Sequence, residues 1–394
     1  MKEVFSIMNK LHKTIICTAA ALLIAIPLVG TSITPAPAAE AANKQKASFE
    51  AGLGHTPFKK AGVTYLPLKD VAELLDLQVK WNTQTRKTEI TGITQYAELT
   101  PGKPVIMIKG TKRLTLNAAP LVKSGVTYVP EALFSKAFSI PVKWKTKEFV
   151  TLPYEKKYTM NSLGNKLFWL NKSADVLYSG TSGQLPVRSG TISSRELDWM
   201  DMKIRNAGGE TYVLDINNSY GEPHIHDEWI RVILYKGKIV KQAQMSLEAA
   251  GMNPDFYGYI YPNAASYKGN IVMNTGHRME LVTPQGQVVE SFNLDRIAGT
   301  TKDVYSVETL EAEFLLIRQH RTGDLMLVNR ATGESSVLYK QLFDKETATK
   351  IEKQTPDYYR YRLTYAGRSG KTLKFNWGLE GQKNGQTLTM ELPF

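Results

Sequence analysis

The strongest constraint on the fold is a sequence pattern that occurs twice. The string GVTYLPLKDVAELL begins at Gly62, and GVTYVPEALFSKAF begins at Gly125, 63 residues later. The tripeptide VKW follows each string with the same spacing and ends at Trp81 and at Trp144. Self-similarity at a fixed spacing indicates a repeated structural unit. We therefore expect two copies of one fold unit, with both tryptophans largely buried at equivalent positions.

Each copy predicts a strand, a helix and a hairpin. VTYLPL combines β-branched, aromatic and aliphatic residues, which favours a short strand. LKDVAELLDL places Val71, Leu74 and Leu75 on one face of a helix. QVKWNTQTRKTEIT then predicts a hairpin, and the second copy has VTYVP, EALFSKAF and PVKWKTKEFVTL in the same order. A further hairpin, VIMIKGTKRLTL, lies between the copies.

The first copy carries a family resemblance. GVTYLPLKDVAELLDLQVKWNTQTRKTEI resembles the copper amine oxidase N-terminal-like domain, or stalk domain, of bacterial envelope proteins. The family pattern is a strand with YVP, a helix with VAE and a hairpin with Val and Trp two residues apart. The resemblance covers about residues 48–154, and the helix of the second copy departs from it. It implies a small α+β domain of two strand–helix–hairpin units without chemistry of its own.

Amine oxidase activity is not expected, despite the family name. That chemistry needs a tyrosine in an Asn-Tyr-Asp or Asn-Tyr-Glu motif, and copper bound by His-x-His and a distant histidine. The chain has His224-Ile225-His226 but neither tyrosine motif. Tyr220, the nearest upstream tyrosine, lies in NSYGE only four residues before His224. We therefore expect no cofactor.

The first 41 residues predict a secretory signal peptide. Lysines precede an apolar run from Ile15 to Val29, and Ala-x-Ala sequences follow it within residues 36–41. This order is typical of a cleaved signal, and the run is shorter than the ~20 residues that span a bilayer as a helix. Cleavage would remove Cys17, the only cysteine, so no disulfide or thiolate site is expected afterwards. We expect a secreted, cell-wall-associated protein without a membrane span.

The charge of the chain indicates the kind of partner. There are 49 Lys and Arg against 37 Asp and Glu, a formal net charge of +12. For a secreted protein, this charge favours an anionic cell-wall polymer or polysaccharide as the partner over nucleic acid. General solubility is the alternative explanation.

The second part of the chain, residues 158–394, predicts an antiparallel β domain. Strand-like runs begin at residues 166, 211, 270, 313 and 359, and Gly-containing turns follow them. Repeats of ~40–50 residues made of short strands are typical of propeller blades. The fold class is therefore mainly β, with a small α+β N-terminal domain and a five-unit propeller-like domain. A β-sandwich is the alternative. The polar stretch NNSYGEPHIHDE predicts an insertion.

Histidines and arginines recur in the turns of this second part. His224 and His226 follow one strand-like run, and each of the next two runs is followed by a His-Arg pair; the pairs are His277 with Arg278, and His320 with Arg321. Equivalent turns of propeller blades open on one face. The residues predict either a metal site, because imidazole binds zinc, or an anion site, because guanidinium offers a planar donor fork. Solvated turns without a ligand are the alternative.

Three alternating tyrosines form a second candidate site. Tyr257, Tyr259 and Tyr261 share one face of an extended segment. Exposed tyrosine faces can stack on sugars, whereas the alternative is a strand that packs them into a sheet.

The predicted function is binding without catalysis. The chain has no Gly-x-Ser-x-Gly motif and no phosphate-binding Gly-rich loop with Lys-Ser or Lys-Thr, and we assign no catalytic residue. We expect a secreted or cell-envelope protein whose stalk domain presents a β-rich ligand-binding domain. The alternative is a secreted polysaccharide-active enzyme anchored by the stalk, which requires two carboxylates ~5–10 Å apart in a cleft.

Overall fold

Both copies of the repeat fold into a strand, a helix and a hairpin. The computed structural model describes residues 48–110, 112–221, 225–246, 263–353, 363–378 and 385–394. The elements before residue 154 are β1 (Phe49–Gly52), β2 (Phe58–Lys60), β3 (Val63–Pro67), α1 (Leu68–Leu74), β4 (Gln78–Asn82), β5 (Lys87–Thr91), β6 (Tyr96–Leu99), β7 (Val105–Ile108), β8 (Lys112–Thr115), β9 (Leu121–Lys123), β10 (Val126–Pro130), α2 (Ala132–Phe138), β11 (Lys143–Thr146) and β12 (Phe149–Leu152).

The repeated strands pair with each other. β3 and β10 are antiparallel neighbours in a sheet of order β2-β3-β10-β9. Tyr65 lies opposite Pro130, and Tyr128 lies opposite Pro67. Because these pairs are related by the 63-residue spacing, the two copies meet about a local twofold axis.

The helices bury one face each in a shared core. Val71 and Leu75 of the first copy and Leu133 and Phe134 of the second are almost completely buried, as the helical periodicity predicts. Burial of one such side chain contributes about 1.5–3 kcal/mol. The hairpins lie in two further sheets. β4–β5 begins the sheet β4-β5-β6-β7-β8, and β11–β12 pairs with β1.

From Tyr158 onward, the described strands form five consecutive antiparallel sheets. The first two contain β13 (Tyr158–Leu163), β14 (Lys166–Asn171), β15 (Val176–Thr181), β16 (Val187–Thr191), β17 (Trp199–Asn206), β18 (Thr211–Tyr220), β19 (His226–Tyr235) and β20 (Lys238–Ser246). The third and fourth contain β21 (Ser266–Tyr267), β22 (Asn270–Asn274), β23 (Arg278–Val282), β24 (Val288–Asn293), β25 (Tyr305–Leu310), β26 (Phe314–Gln319), β27 (Leu325–Asn329) and β28 (Ser335–Val337). The fifth contains β29 (Leu363–Ser369), β30 (Thr372–Trp377) and β31 (Gln386–Glu391). Short helices are α3 (Leu294–Ala298), α4 (Tyr339–Leu342) and α5 (Lys345–Lys353).

The mainly β fold is therefore confirmed, with one difference inside each unit. The first four predicted runs are the second strands of their sheets, β14, β18, β22 and β26, and a further strand precedes each of them. Five sheets of consecutive strands agree with five blades, and the propeller arrangement itself stays a prediction. The stretch predicted to contain an insertion lies, where it is described, mainly in the ten-residue strands β18 and β19, which are longer than the equivalent strands of the other sheets.

Apolar clusters and buried arginines connect successive sheets. Separate clusters fill the spaces between the first and second sheets, the second and third, the third and fourth, and the fourth and fifth. Arg231 pairs with Asp215 in the second sheet and donates to the carbonyl of Val272 in the third at 2.7 Å. Arg318 pairs with Glu308 in the fourth sheet and donates to the carbonyl of Leu363 in the fifth at 2.6 Å.

Asp76 joins the first repeat to the first of the five sheets. Its carboxylate accepts hydrogen bonds from the Tyr154 hydroxyl at 2.8 Å and the Lys157 amide at 2.7 Å, and its carbonyl accepts one from the Trp169 indole at 3.0 Å. Burial raises the pKa of this carboxyl group.

The residues from Ala47 to Phe394 form one compact unit. In the described part of the chain, no helix has the length and apolar character needed to cross a membrane.

Candidate functional site: a groove beside Trp81

Trp81 is exposed, whereas its repeat equivalent is partly covered. The face of β4 that bears Val79 packs on the N-terminal core, and Trp81 lies two residues further along the same face. There Trp81 lines the same groove as the first residues of α1, and the residue is 52% exposed. Trp144 packs partly against the core, and its indole donates to the carbonyl of Thr146. The prediction of burial is therefore wrong for Trp81.

The exposed indole lines a groove of ≈ 590 Å³. Its apolar surface includes Trp81, Pro101, Val126 and Val122, which is 56% exposed. The polar surface includes His55, Lys69 and Asp70. The volume lies within the ~300–1,000 Å³ typical of ligand pockets. The combination of an aromatic surface with a few polar groups is also typical of such pockets.

Asp70 fixes His55 at the edge of the groove. The Asp70 carboxylate accepts the His55 backbone N–H at 2.7 Å, and both carboxylate oxygens lie 3.0–3.1 Å from His55 Nδ1. The Asp70 side chain is mostly covered, whereas about half of the imidazole is exposed. The groove therefore presents a positioned imidazole next to a carboxylate, a combination of groups that can both donate and accept hydrogen bonds.

The positive charge of the chain is concentrated in the N-terminal part, which contains this groove. Residues 48–154 contain 15 Lys and Arg against eight Asp and Glu, whereas residues 155–394 contain 29 against 27. Sequence reasoning missed this asymmetry, although a count by segment finds it. Lys69 is exposed at the groove itself.

The predicted turn residues of the second part lie in different environments. The turns that contain His277 and His320 lie side by side, because Gly276 accepts from the Tyr305 amide and Val304 accepts from the His320 amide. The two side chains differ, however. His277 is exposed and lies 2.8 Å from Asp295, whereas His320 is completely buried and its Nε2 lies 2.7 Å from the Ser306 hydroxyl.

Of the remaining predicted residues, Arg278 and His226 have side-chain contacts, Arg321 has a backbone hydrogen bond, and the others are not described. Arg278 pairs with Glu280 at 3.3 Å, and the Arg321 amide donates to Asp303. The His226 ring contacts the Tyr220 ring at a tilt of 37°, with ring centroids 5.2 Å apart. His224, Tyr257, Tyr259 and Tyr261 lie outside the described residues, and the ligand-binding role of all of these residues stays a prediction. Among the residues whose structure is described, no three His, Asp, Glu or Cys side chains are grouped as a metal site would need.

A buried carboxylate near His226 was missed by sequence reasoning. Glu228 is completely buried and accepts from Ser194 at 2.8 Å, Gln244 at 2.8 Å, Asn218 at 3.3 Å and Tyr220 at 3.3 Å. All of these donors are neutral, and they come from the β16–β17 connection, β18 and β20. Glu228 therefore ties the segment before β17 to the second sheet and is too deeply covered to contact a polymer.

Comparison with known proteins confirms the family resemblance of the N-terminal part. Residues 43–152 match the family described as copper amine oxidase N-terminal domain. Over a longer stretch the chain is similar to a "Protease inhibitor" of Brevibacillus choshinensis. The two are 26% identical over 315 residues, which covers 78% of this chain and 81% of that protein.

Likeness to solved structures is low. Apo AztD from Citrobacter koseri has a TM-score of 0.27 and 11% identity, with 80% of this chain and 83% of that chain covered. A protein of unknown function from Bacteroides caccae has a TM-score of 0.25 and 10% identity, with 76% and 90% covered.

Proposed function

We propose that this chain is a secreted, cell-wall-associated binding protein without catalytic activity, and that residues 48–154 bind an anionic wall polymer. In this proposal, residues 1–41 are a signal peptide, residues 48–154 are a stalk domain and residues 158–394 are a propeller-like domain. The observation that carries it is the charge asymmetry: the N-terminal part has nearly twice as many basic as acidic residues, and the rest is almost balanced. A basic surface attracts a polyanion and raises its local concentration.

The test is binding to purified cell walls at rising ionic strength. Interactions between exposed charges are screened beyond ~8 Å at physiological salt. We expect the bound fraction to fall at least ~10-fold between about 50 mM and 500 mM NaCl. Binding that does not change with salt contradicts the proposal.

Two matched triple variants locate the binding surface. Lys59→Glu, Lys60→Glu and Lys103→Glu reverse three exposed charges in the N-terminal part, and Lys302→Glu, Lys371→Glu and Lys374→Glu reverse three in the later sheets. The net charge changes equally in both. The first triple should weaken wall binding strongly and the second only slightly. Equal losses would place the binding surface elsewhere.

Protease inhibition is the second candidate function. It is favoured by the similarity to the Brevibacillus choshinensis protein, which extends over most of both chains. The test is to titrate an extracellular serine protease and an extracellular metalloprotease with the purified chain. An inhibitor should abolish activity near equimolar ratio and remain uncleaved. Full residual activity of both enzymes at a tenfold excess of the chain would argue against this function.

A further inference from the structure

We infer that the groove beside Trp81 binds one pyranose ring of a polysaccharide, with the indole as a stacking surface and the Asp70–His55 pair as the hydrogen-bonding edge. The inference rests on the proposed function in that the sugar belongs to the wall polymer. It goes further by assigning a site and a chemical class of ligand.

Trp81 exposes an aromatic side chain in the groove. Large aromatic side chains are usually covered when a neighbouring core is available. Trp81 lines the groove together with the core residue Leu68 and still exposes about half of its surface, and the exposed Val122 lines the same groove. Its equivalent Trp144 packs partly against the core, so the repeat itself does not require this exposure. An apolar surface of this kind inside a groove indicates a place for a ligand.

The polar groups of the groove distinguish the ligand class. A pyranose has a face of C–H bonds and an edge of hydroxyl groups. The electron-rich indole face suits the C–H bonds, and hydroxyl groups both donate and accept hydrogen bonds. Asp70 accepts and the positioned His55 ring can donate or accept, so the rim matches a hydroxyl edge.

Charge complementarity specifies the polysaccharide further. Lys69 is exposed at the rim, and the surrounding segment has a large excess of basic residues. A carboxylate or phosphate on the sugar would lie near this ammonium group. We therefore expect an acidic saccharide to bind more tightly than a neutral one of equal length.

The experiment is calorimetric titration of the full chain with tetragalacturonate, which is acidic, and with chitotetraose, which is neutral. Trp81→Ala should weaken binding of the acidic saccharide at least tenfold, and Trp81→Phe should lose less, because it keeps a smaller aromatic face. Trp199→Ala is the matched control, since Trp199 is 58% exposed on β17 in the second part. It should leave binding unchanged. Lys69→Ala should weaken the binding of tetragalacturonate and leave the binding of chitotetraose unchanged.

The outcomes separate this inference from the proposed function. If neither saccharide binds, or if Trp81→Ala binds tetragalacturonate as well as the unchanged chain does, the sugar site is overturned. If no saccharide binds, but an acidic heptapeptide binds the unchanged chain and not Trp81→Ala, the groove is a peptide site instead. Salt-dependent wall binding that survives Trp81→Ala would leave the proposed function standing. Saccharide binding without wall binding would support the groove and reject the wall polymer.

Discussion

At the scale of single residues, His320 differs clearly from a histidine in water. It is completely buried, Ser306 lies 2.7 Å from its Nε2, and burial lowers the pKa of the imidazole to about 3, with a smaller contribution from the neighbouring charge of Arg318. The ring is therefore neutral at physiological pH. His277, the other histidine of these two turns, remains exposed beside Asp295. The same His-Arg pattern therefore occurs once with an exposed imidazole and once with a buried one.

The lowered pKa predicts a loss of stability in acid. An unfolded histidine has a pKa near 6.5, so between pH 6.5 and 3 the unfolded chain binds a proton at His320 that the native chain does not. The free energy of unfolding should fall by about 2 kcal/mol between pH 7 and pH 5 from this residue alone. Urea unfolding of His320→Gln should show a weaker pH dependence than the unchanged chain. Equal dependence in both would contradict the buried neutral ring.

At the scale of structural elements, successive sheets are held together by arginines that differ in burial. Arg318 is almost completely buried between the fourth and fifth sheets, where it pairs with Glu308 and donates to Gly323 and Leu363. Arg368 joins the same two sheets through Glu313, and this pair is partly exposed. The two arginine–glutamate pairs have similar geometry, but solvent screens the Arg368–Glu313 pair.

Burial predicts that these two arginines contribute very differently to stability. Arg318→Met leaves the mostly covered Glu308 without its partner and should lower the free energy of unfolding by about 3–5 kcal/mol. Arg368→Met should change it little, because exposed pairs contribute little. Adding Glu308→Leu to Arg318→Met should recover much of the loss. Denaturant unfolding of the four chains measures these differences, and equal losses for both single variants would show that burial is not the cause.

At the scale of the whole molecule, Asp76 is the residue through which the first repeat meets the first of the five sheets. Its φ of 56° lies in the left-handed region, which Asn and Asp tolerate better than other residues with side chains. The carboxylate accepts hydrogen bonds from Tyr154, Lys157 and Tyr158. Gln78 adds a hydrogen bond to the carbonyl of Phe168 at 2.9 Å. The junction therefore combines a special backbone conformation with buried polar contacts.

Replacement of Asp76 should weaken this junction. Asp76→Ala leaves the donors of Tyr154 and Lys157 without their acceptor, at a cost of about 2–4 kcal/mol in the free energy of unfolding. Asp76→Asn should cost less, because it keeps one acceptor oxygen and tolerates the left-handed conformation. Asp201→Ala, on the exposed side of β17, serves as the control and should change little. Urea unfolding followed by circular dichroism tests the order, and an Asp76→Asn variant as unstable as Asp76→Ala would contradict it.

The sequence by itself determined the repeat, the order of elements within each copy, and the succession of short strands after residue 158. These features depend on local spacing, because a helix face recurs every three to four residues and a strand face every two. Only the tertiary structure decided which repeated positions are covered. Trp81 and Trp144 both end the tripeptide VKW, yet Trp81 is exposed in the groove and Trp144 packs partly on the core. His277 and His320 diverge in the same way. Burial depends on segments that are distant in sequence, and local periodicity carries no information about them.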